Sequence, residues 1–341
     1  MHELTTTAPD FVFWAATLYL VMRLLVSQDP RWWLAIGTCA GVAGSAKWTI
    51  GVLAAAVLAG CLLTPARALL RSRYACAGAI LAAALASPDV IWQAVHGWPN
   101  LAVFAALHGQ AGHNIAVYWP AQLLYTGLAL TPVWLAGLWW CLRDPAARRY
   151  RPAGIAALIV LAVFFAAGGK PYYGGGVFTF LFAAGSLPLA HWLAGRRPRQ
   201  VAAAAVLAVS TAVTLPIALP ALPARVLATV PLQKINYDLA ETIGWSRQVA
   251  LVARLYHALP PAFSGANSLW FWGPPPARDR SVIAVNVDPA LLRRLFRHVR
   301  QVAVFRNGLQ VSDDEQGAVL DEATGLRLPW RTAWPMLRDF S

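Results

Sequence analysis

Through its first 220 residues the chain runs from one apolar stretch to the next, with too little charge between them to build a water-facing surface. A bilayer core takes about 20 apolar residues per helix, with a working range of roughly 17–25. Candidate spans lie at 11–27, 32–46, 48–64, 74–94, 115–142, 153–168, 176–194 and 201–220. The pair 32–46 and 48–64 reads either as one long bent helix or as two short helices hinged at Ser45-Ala46-Lys47. That makes seven or eight spans. Charged residues are 13% of the chain, against about 25% for a soluble domain. A soluble globular protein is not expected on these grounds, and a disordered one, whose apolar content would be low, is excluded.

The charge is unevenly placed. Residues 1–220 hold 14 basic and 5 acidic side chains, and residues 221–341 hold 14 and 10. In the first part, ten arginines form three clusters: Arg67, Arg71 and Arg73; Arg143, Arg148, Arg149 and Arg151; and Arg196, Arg197 and Arg199. The positive-inside rule puts all three in the cytoplasm. Segments 95–114 and 169–175 then face outward, and so does the tail after 201–220. The net charge of +13 therefore serves topology, and nucleic-acid binding is not expected. Cys39, Cys61, Cys76 and Cys141 lie in or beside apolar spans, with no disulfide or metal spacing. The opening MHELTTTAPD has no basic stretch of the kind that begins a signal peptide.

Residues 221–341 have the composition of a separate soluble domain. Apolar positions from Leu239 to Tyr256 predict a helix over 238–258. SVIAVNV (281–287) reads as a buried strand. DPALLRRLFRHV (288–299) reads as a helix capped by Asp288 with Pro289 at its first position, and QVAVF (301–305) as the next strand. The expected fold class is mainly α: a polytopic membrane helix bundle over 1–220, followed by a small extracytoplasmic α/β domain over 221–341.

Ionisable residues at membrane depth are functional candidates by default. Lys47, in SAKWT, sits between two apolar runs near the outward face, where an ammonium can hold a lipid phosphate. The plain alternative is a lysine that snorkels to the interface. Lys170 lies in GGKPYYGGG with Tyr172 and Tyr173, on a glycine-bracketed turn at an outward mouth. That arrangement suits a phosphate and a polar ring, although interfacial tyrosines also serve as simple anchors. Asp89, after Pro88, reads as a substrate contact or as a helix cap after a proline break. His96, His108 and His113 share an outward loop, but their spacing fits no compact metal site; His96 remains a candidate substrate contact. No nucleophile elbow, phosphate loop or zinc-protease helix occurs.

WWLAIGTCAGVAGSAKWT, SPDVIWQAVHGWPN, GGKPYY, NYDLAETIGW and SGANSLWFWGPP, in that order, resemble glycosyltransferase family 39, the group related to protein O-mannosyltransferases and the lipid A aminoarabinose transferase. The resemblance implies a GT-C fold in the cell (inner or plasma) membrane. It implies transfer of a sugar, a hexose such as mannose, from a polyprenyl-phosphate carrier to an extracytoplasmic acceptor. Lys47 and the Lys170–Tyr173 turn would face the carrier-lipid cavity. The donor is a substrate, so no cofactor is implied, and a divalent metal stays open. The acceptor, whether protein, glycan or lipid, is not identified. Two departures matter. Relatives carry an outer loop with an Asp-Glu motif that supplies the catalytic carboxylate; here Glu3 and Asp10 are the only acids near the start, so an N-terminally truncated chain is expected and the catalytic residue is unassigned. In the tail, Leu259-Pro260-Pro261 runs almost directly into Phe263-Ser264-Gly265, and Ala266 stands where a histidine is expected. The competing readings are a non-catalytic remnant that still binds carrier lipid, and a transporter or flippase-like protein. A transporter would favour an internal repeat, which the halves do not show.

Overall fold

A computed structural model describes residues 7–109, 111–219, 222–230, 232, 235–236, 239, 243–256, 261–265, 267–307 and 316–338. These fall into two compact units that divide between Ser210 and Thr211.

The first unit is helical. It comprises α1 (Thr7–Ser27), α2 (Trp32–Ala46), α3 (Thr49–Leu62), the single turn α4 (Arg67–Leu70), α5 (Arg73–Val95), α6 (Pro99–His108), α7 (Ala111–Thr126), α8 (Thr131–Arg143), α9 (Arg151–Ala166), α10 (Val177–Leu193) and the first part of α11 (Arg197–Ala218), which runs across the boundary. Each apolar run becomes helical. Among the described residues, four helices are long and apolar enough to cross a membrane, and five if the bent pair α7–α8 counts as one span. The hinge at Ser45-Ala46-Lys47 resolves into two helices: Lys47 takes an extended backbone (φ −160°, ψ 128°) as the cap of α2, and α3 restarts at Thr49. The run 115–142, read as a single span, is broken. α7 and the segment carrying α8 meet at 85°, around Gly127 with φ +77°. That left-handed backbone is open to glycine and costly for other residues.

The helices pack through small residues, as expected where lipid supplies no hydrophobic drive between them. α2 lies against α5 so closely that a Cβ on Gly78 would overlap the Trp33 carbonyl. α8 and α10 meet in the same way, a Cβ on Gly185 overlapping the Val133 carbonyl. The shared core runs through Trp14, Leu18, Leu53, Val57, Val160 and Leu181. Cys61 and Cys141 are buried in it, and all four cysteines are free. The three arginine clusters fall at the α3–α5, α8–α9 and α10–α11 connections, at the ends of these helices away from Lys47.

The second unit holds α12 (Ala224–Leu227), α13 (Trp245–Tyr256), β1 (Ser281–Val285), α14 (Pro289–Leu295), β2 (Phe296–Val304), β3 (Val319–Leu326) and α15 (Trp330–Ala333). The sheet order is β1-β3-β2, with both neighbours antiparallel to β3. The expected strand–helix–strand is therefore a split unit, with a third strand between the other two. Asp288 caps α14 as read, accepting from the Ala290 amide at 2.9 Å. The helix expected over 288–299 stops at Leu295, because Phe296–Val304 is drawn into the sheet as β2 and pairs along β3 instead. Of the helix expected over 238–258, Trp245–Tyr256 is helical; positions 238, 240–242, 257 and 258 lie outside the described residues.

Gly78→Ala and Gly185→Ala should each destabilise the bundle by about 1–3 kcal/mol through overpacking. Gly51→Ala, where a Cβ meets no atom within 4 Å, should be neutral or stabilising by about 0.5–1 kcal/mol. Thermal unfolding of the three variants in detergent separates these outcomes.

Candidate functional site

The site is assembled where α1 begins, where α2 gives way to α3, and where α9 gives way to α10. Lys47 sits at the helix break. Its chain cannot continue along α2, so its side chain is free to turn towards the first turn of α1. There Nζ lies 3.7 Å from Asp10 Oδ2 and donates to Thr7 Oγ1 at 3.2 Å. Asp10 is 4% exposed. Its carboxylate accepts from the Trp14 indole at 3.0 Å and from the Thr49 hydroxyl at 3.1 Å. Three donors from three elements therefore converge on one carboxylate, which is how a buried charge becomes tolerable.

The Lys170 segment closes over this pair. α9 ends in a run of backbone bonds: the Gly168 amide donates to Phe165 O at 3.1 Å and the Gly169 amide to Phe164 O at 2.9 Å. Gly168 takes φ +62°. Lys170 then caps a 3-10 turn, Pro171–Gly174. The turn presents both tyrosine rings to Lys47, whose Nζ lies 5.2 Å from the Tyr172 ring centroid and 5.0 Å from that of Tyr173. Such cation–ring contacts are worth about 0.5–2 kcal/mol. Tyr173 is braced edge-on by Phe164 at 5.8 Å, and burial pushes its phenol above the ordinary value, so it remains an O–H donor at neutral pH. A Cβ on Gly176 would overlap Trp14. The glycines after the tyrosines thus serve close approach of α1.

The sequence-predicted residues Lys47, Tyr172 and Tyr173 come together. Lys170 joins them electrostatically, its charge opposing that of Lys47. Among the described residues, no carboxylate lies within ion-pair distance of Lys170. Asp89 is adjacent: the Trp48 indole, next to Lys47, donates to its Oδ2 at 2.7 Å. The cap reading of Asp89 is corrected, since α5 runs through Pro88 as far as Val95. His96 caps that helix. Its Nδ1 lies 2.7 Å from the Trp92 carbonyl, and its ring stacks on Trp92 at 4.3 Å. No group of three or more metal-ligating side chains occurs among the described residues; the His108 side chain and Ala266 lie outside them.

Sequence reading missed Asp10, grouped with Glu3 as a terminal acid. It also missed a polar stripe on α7. Asn114, Tyr118, Gln122 and Thr126 recur every fourth residue, and all are buried. Asn114 donates to Gly168 O at 2.8 Å, and Gln122 donates to Pro171 O at 2.7 Å.

Residues 1–92 match the family model for dolichyl-phosphate-mannose-protein mannosyltransferase. The match takes in Asp10, Lys47 and Asp89 and stops before the Lys170 turn. No curated protein and no solved structure matches the chain. The similarity supports a membrane glycosyltransferase of this broad type.

Asp10→Asn leaves the Lys47 ammonium part-buried without its counter-charge. It should cost about 3 kcal/mol, the lower end for removing one member of a buried pair. Adding Lys47→Met should recover at least about 1 kcal/mol of that, because the isolated charge goes with it. A double-mutant cycle of unfolding in detergent reads this coupling.

Proposed function

We propose that the Lys47–Lys170 cluster binds the phosphate of a polyprenyl-phosphate sugar and that the protein transfers that sugar to an extracytoplasmic acceptor. The observation that carries this reading is a charge imbalance. Lys47 and Lys170 lie at the same end of the helical bundle, and among the described residues one carboxylate, Asp10, pairs with Lys47 and none with Lys170. The charge on Lys170, half-buried at the start of the two-tyrosine turn, is left for an anion to meet. A lipid phosphate supplies one at the right depth, with its polyprenyl chain left in the bilayer.

The geometry supports the following roles. Lys170 faces the phosphate as the cation that has no paired carboxylate among the described residues. Lys47, held by Asp10 and by the two tyrosine rings, shares it. The Tyr173 phenol donates a hydrogen bond, and the Tyr172 ring offers an apolar face to the sugar. Asp10 keeps Lys47 aimed; with its oxygens engaged by Trp14, Thr49 and Lys47, it is poorly placed to take a proton from an acceptor. Asp89 and His96 lie further along α5 and are proposed to line the acceptor side. The carboxylate that would activate the acceptor hydroxyl is left unassigned. The family match favours mannose as the sugar. The positive-inside rule puts the arginine clusters in the cytoplasm, and hence the site and the α/β unit outside a cell membrane.

Membranes containing the full chain should transfer radiolabelled mannose from a polyprenyl-phosphate donor to endogenous acceptors. Purified protein in nanodiscs should bind undecaprenyl phosphate. Lys170→Ala and Lys47→Ala should each weaken that binding at least tenfold, about 1.4 kcal/mol. Unchanged affinity in both variants, with the wild type binding, would sink the assignment.

A further inference from the structure

α7 is an inverted helix. Its polar residues Asn114, Tyr118, Gln122 and Thr126 are buried, while Ile115, Trp119, Leu123 and Leu124 are 37–45% exposed. In water that pattern would be costly on both faces. Beside lipid it is the low-energy arrangement, because polar groups must find partners inside the protein.

The partners are specific. Beyond the end of α9 the chain leaves backbone carbonyls that no helix satisfies. Within the turn, Lys170 O accepts from the Tyr173 amide at 3.0 Å, and Tyr172 O accepts from the Gly175 amide at 3.0 Å. Gly168 O and Pro171 O, on either side of Lys170, are instead met by the Asn114 and Gln122 amides, at 2.8 Å and 2.7 Å. The two amides stand eight residues apart on one face of α7, a rise of about 12 Å. Between them, Tyr118 packs its ring 5.6 Å from that of Phe165, and a Cβ on Gly174 would sit 3.6 Å from its hydroxyl. Gln122 Oε1 has no hydrogen-bond partner among the described residues, so the bond that orients this amide is the one to the Pro171 carbonyl.

We infer that Asn114 and Gln122 are positioning residues: a two-point clamp that fixes the Lys170–Tyr173 turn over Lys47 and so sets the affinity of the site for its anionic ligand. As to the ligand, the inference rests on the carrier-phosphate reading; as to the clamp, it stands on the two bonds. Asn114→Leu and Gln122→Met keep the volume and remove the donor. Each should weaken binding of undecaprenyl phosphate in nanodiscs about tenfold. Leu123→Ala, on the outward face, should leave it unchanged. A ligand-free readout separates the two claims. 3-Fluorotyrosine at position 172 should give one sharp 19F resonance in the otherwise wild-type protein, and a shifted, broadened or divided one in Gln122→Met. An unchanged resonance overturns the clamp. A changed resonance with unchanged affinity overturns its role at the site. If the wild type binds no undecaprenyl phosphate, the carrier reading fails and the resonance alone decides whether the clamp exists.

Discussion

The ion pair between Asp10 and Lys47 is the contact on which the site end of the bundle depends. A lysine at a helix break between two apolar helices has few acceptable positions. It can reach bulk water, or it can find a carboxylate. Here α1 brings the carboxylate, and the price of its burial is spread over Trp14, Thr49 and Lys47. That choice draws the first turn of α1 against the start of α3. The close approach of α1 to the segment before α10 is possible because Gly176 carries no side chain in the path of Trp14. Once these elements are together, the tyrosine rings have one obvious cation to cover.

The same rule, that polar groups at membrane depth must be satisfied from within, explains why α7 departs from a simple span. A helix with a buried amide stripe cannot be turned around without stranding those amides in lipid. Its bend at Gly127 lets one continuous apolar run serve two purposes. α8 continues along the bundle, while α7 lies across the Lys170 turn and supplies hydrogen bonds that this turn cannot make for itself. The two-tyrosine turn is thus held from both sides, by α7 through its carbonyls and by Lys47 through its rings.

Much of this was legible in the sequence, for physical reasons that differ by element. The apolar runs had to be helices, because no other single segment satisfies its own backbone in a bilayer. Lys47 and GGKPYYGGG stood out because each breaks such a run with charge or glycine. Asp10 did not, because it lies at the edge of an apolar run, where an acid costs nothing in an isolated helix; its burial comes from packing. The stripe Asn114–Thr126 was hidden across the boundary between an outward segment ending at 114 and a span read as 115–142, although polar residues every fourth position were a usable signal. In the tail, the capped start of α14 was local and readable. Its end was not, because Arg293 and Arg294 fit a helix as well as an approach to a strand. β3 was missed because Leu320-Asp321-Glu322-Ala323-Thr324 mixes charge into its pattern, and pairing on both edges overrides that weak propensity.

Similarity and geometry speak about different parts of the site. The matched family region ends at residue 92 and contains the first cation, its counter-ion and Asp89. The second cation and both tyrosines lie about eighty residues further on. What joins the two is the pair of cation–ring contacts from Lys47 to Tyr172 and Tyr173. The matched and unmatched parts of the helical unit therefore meet at Lys47, through contacts that neither segment shows by itself.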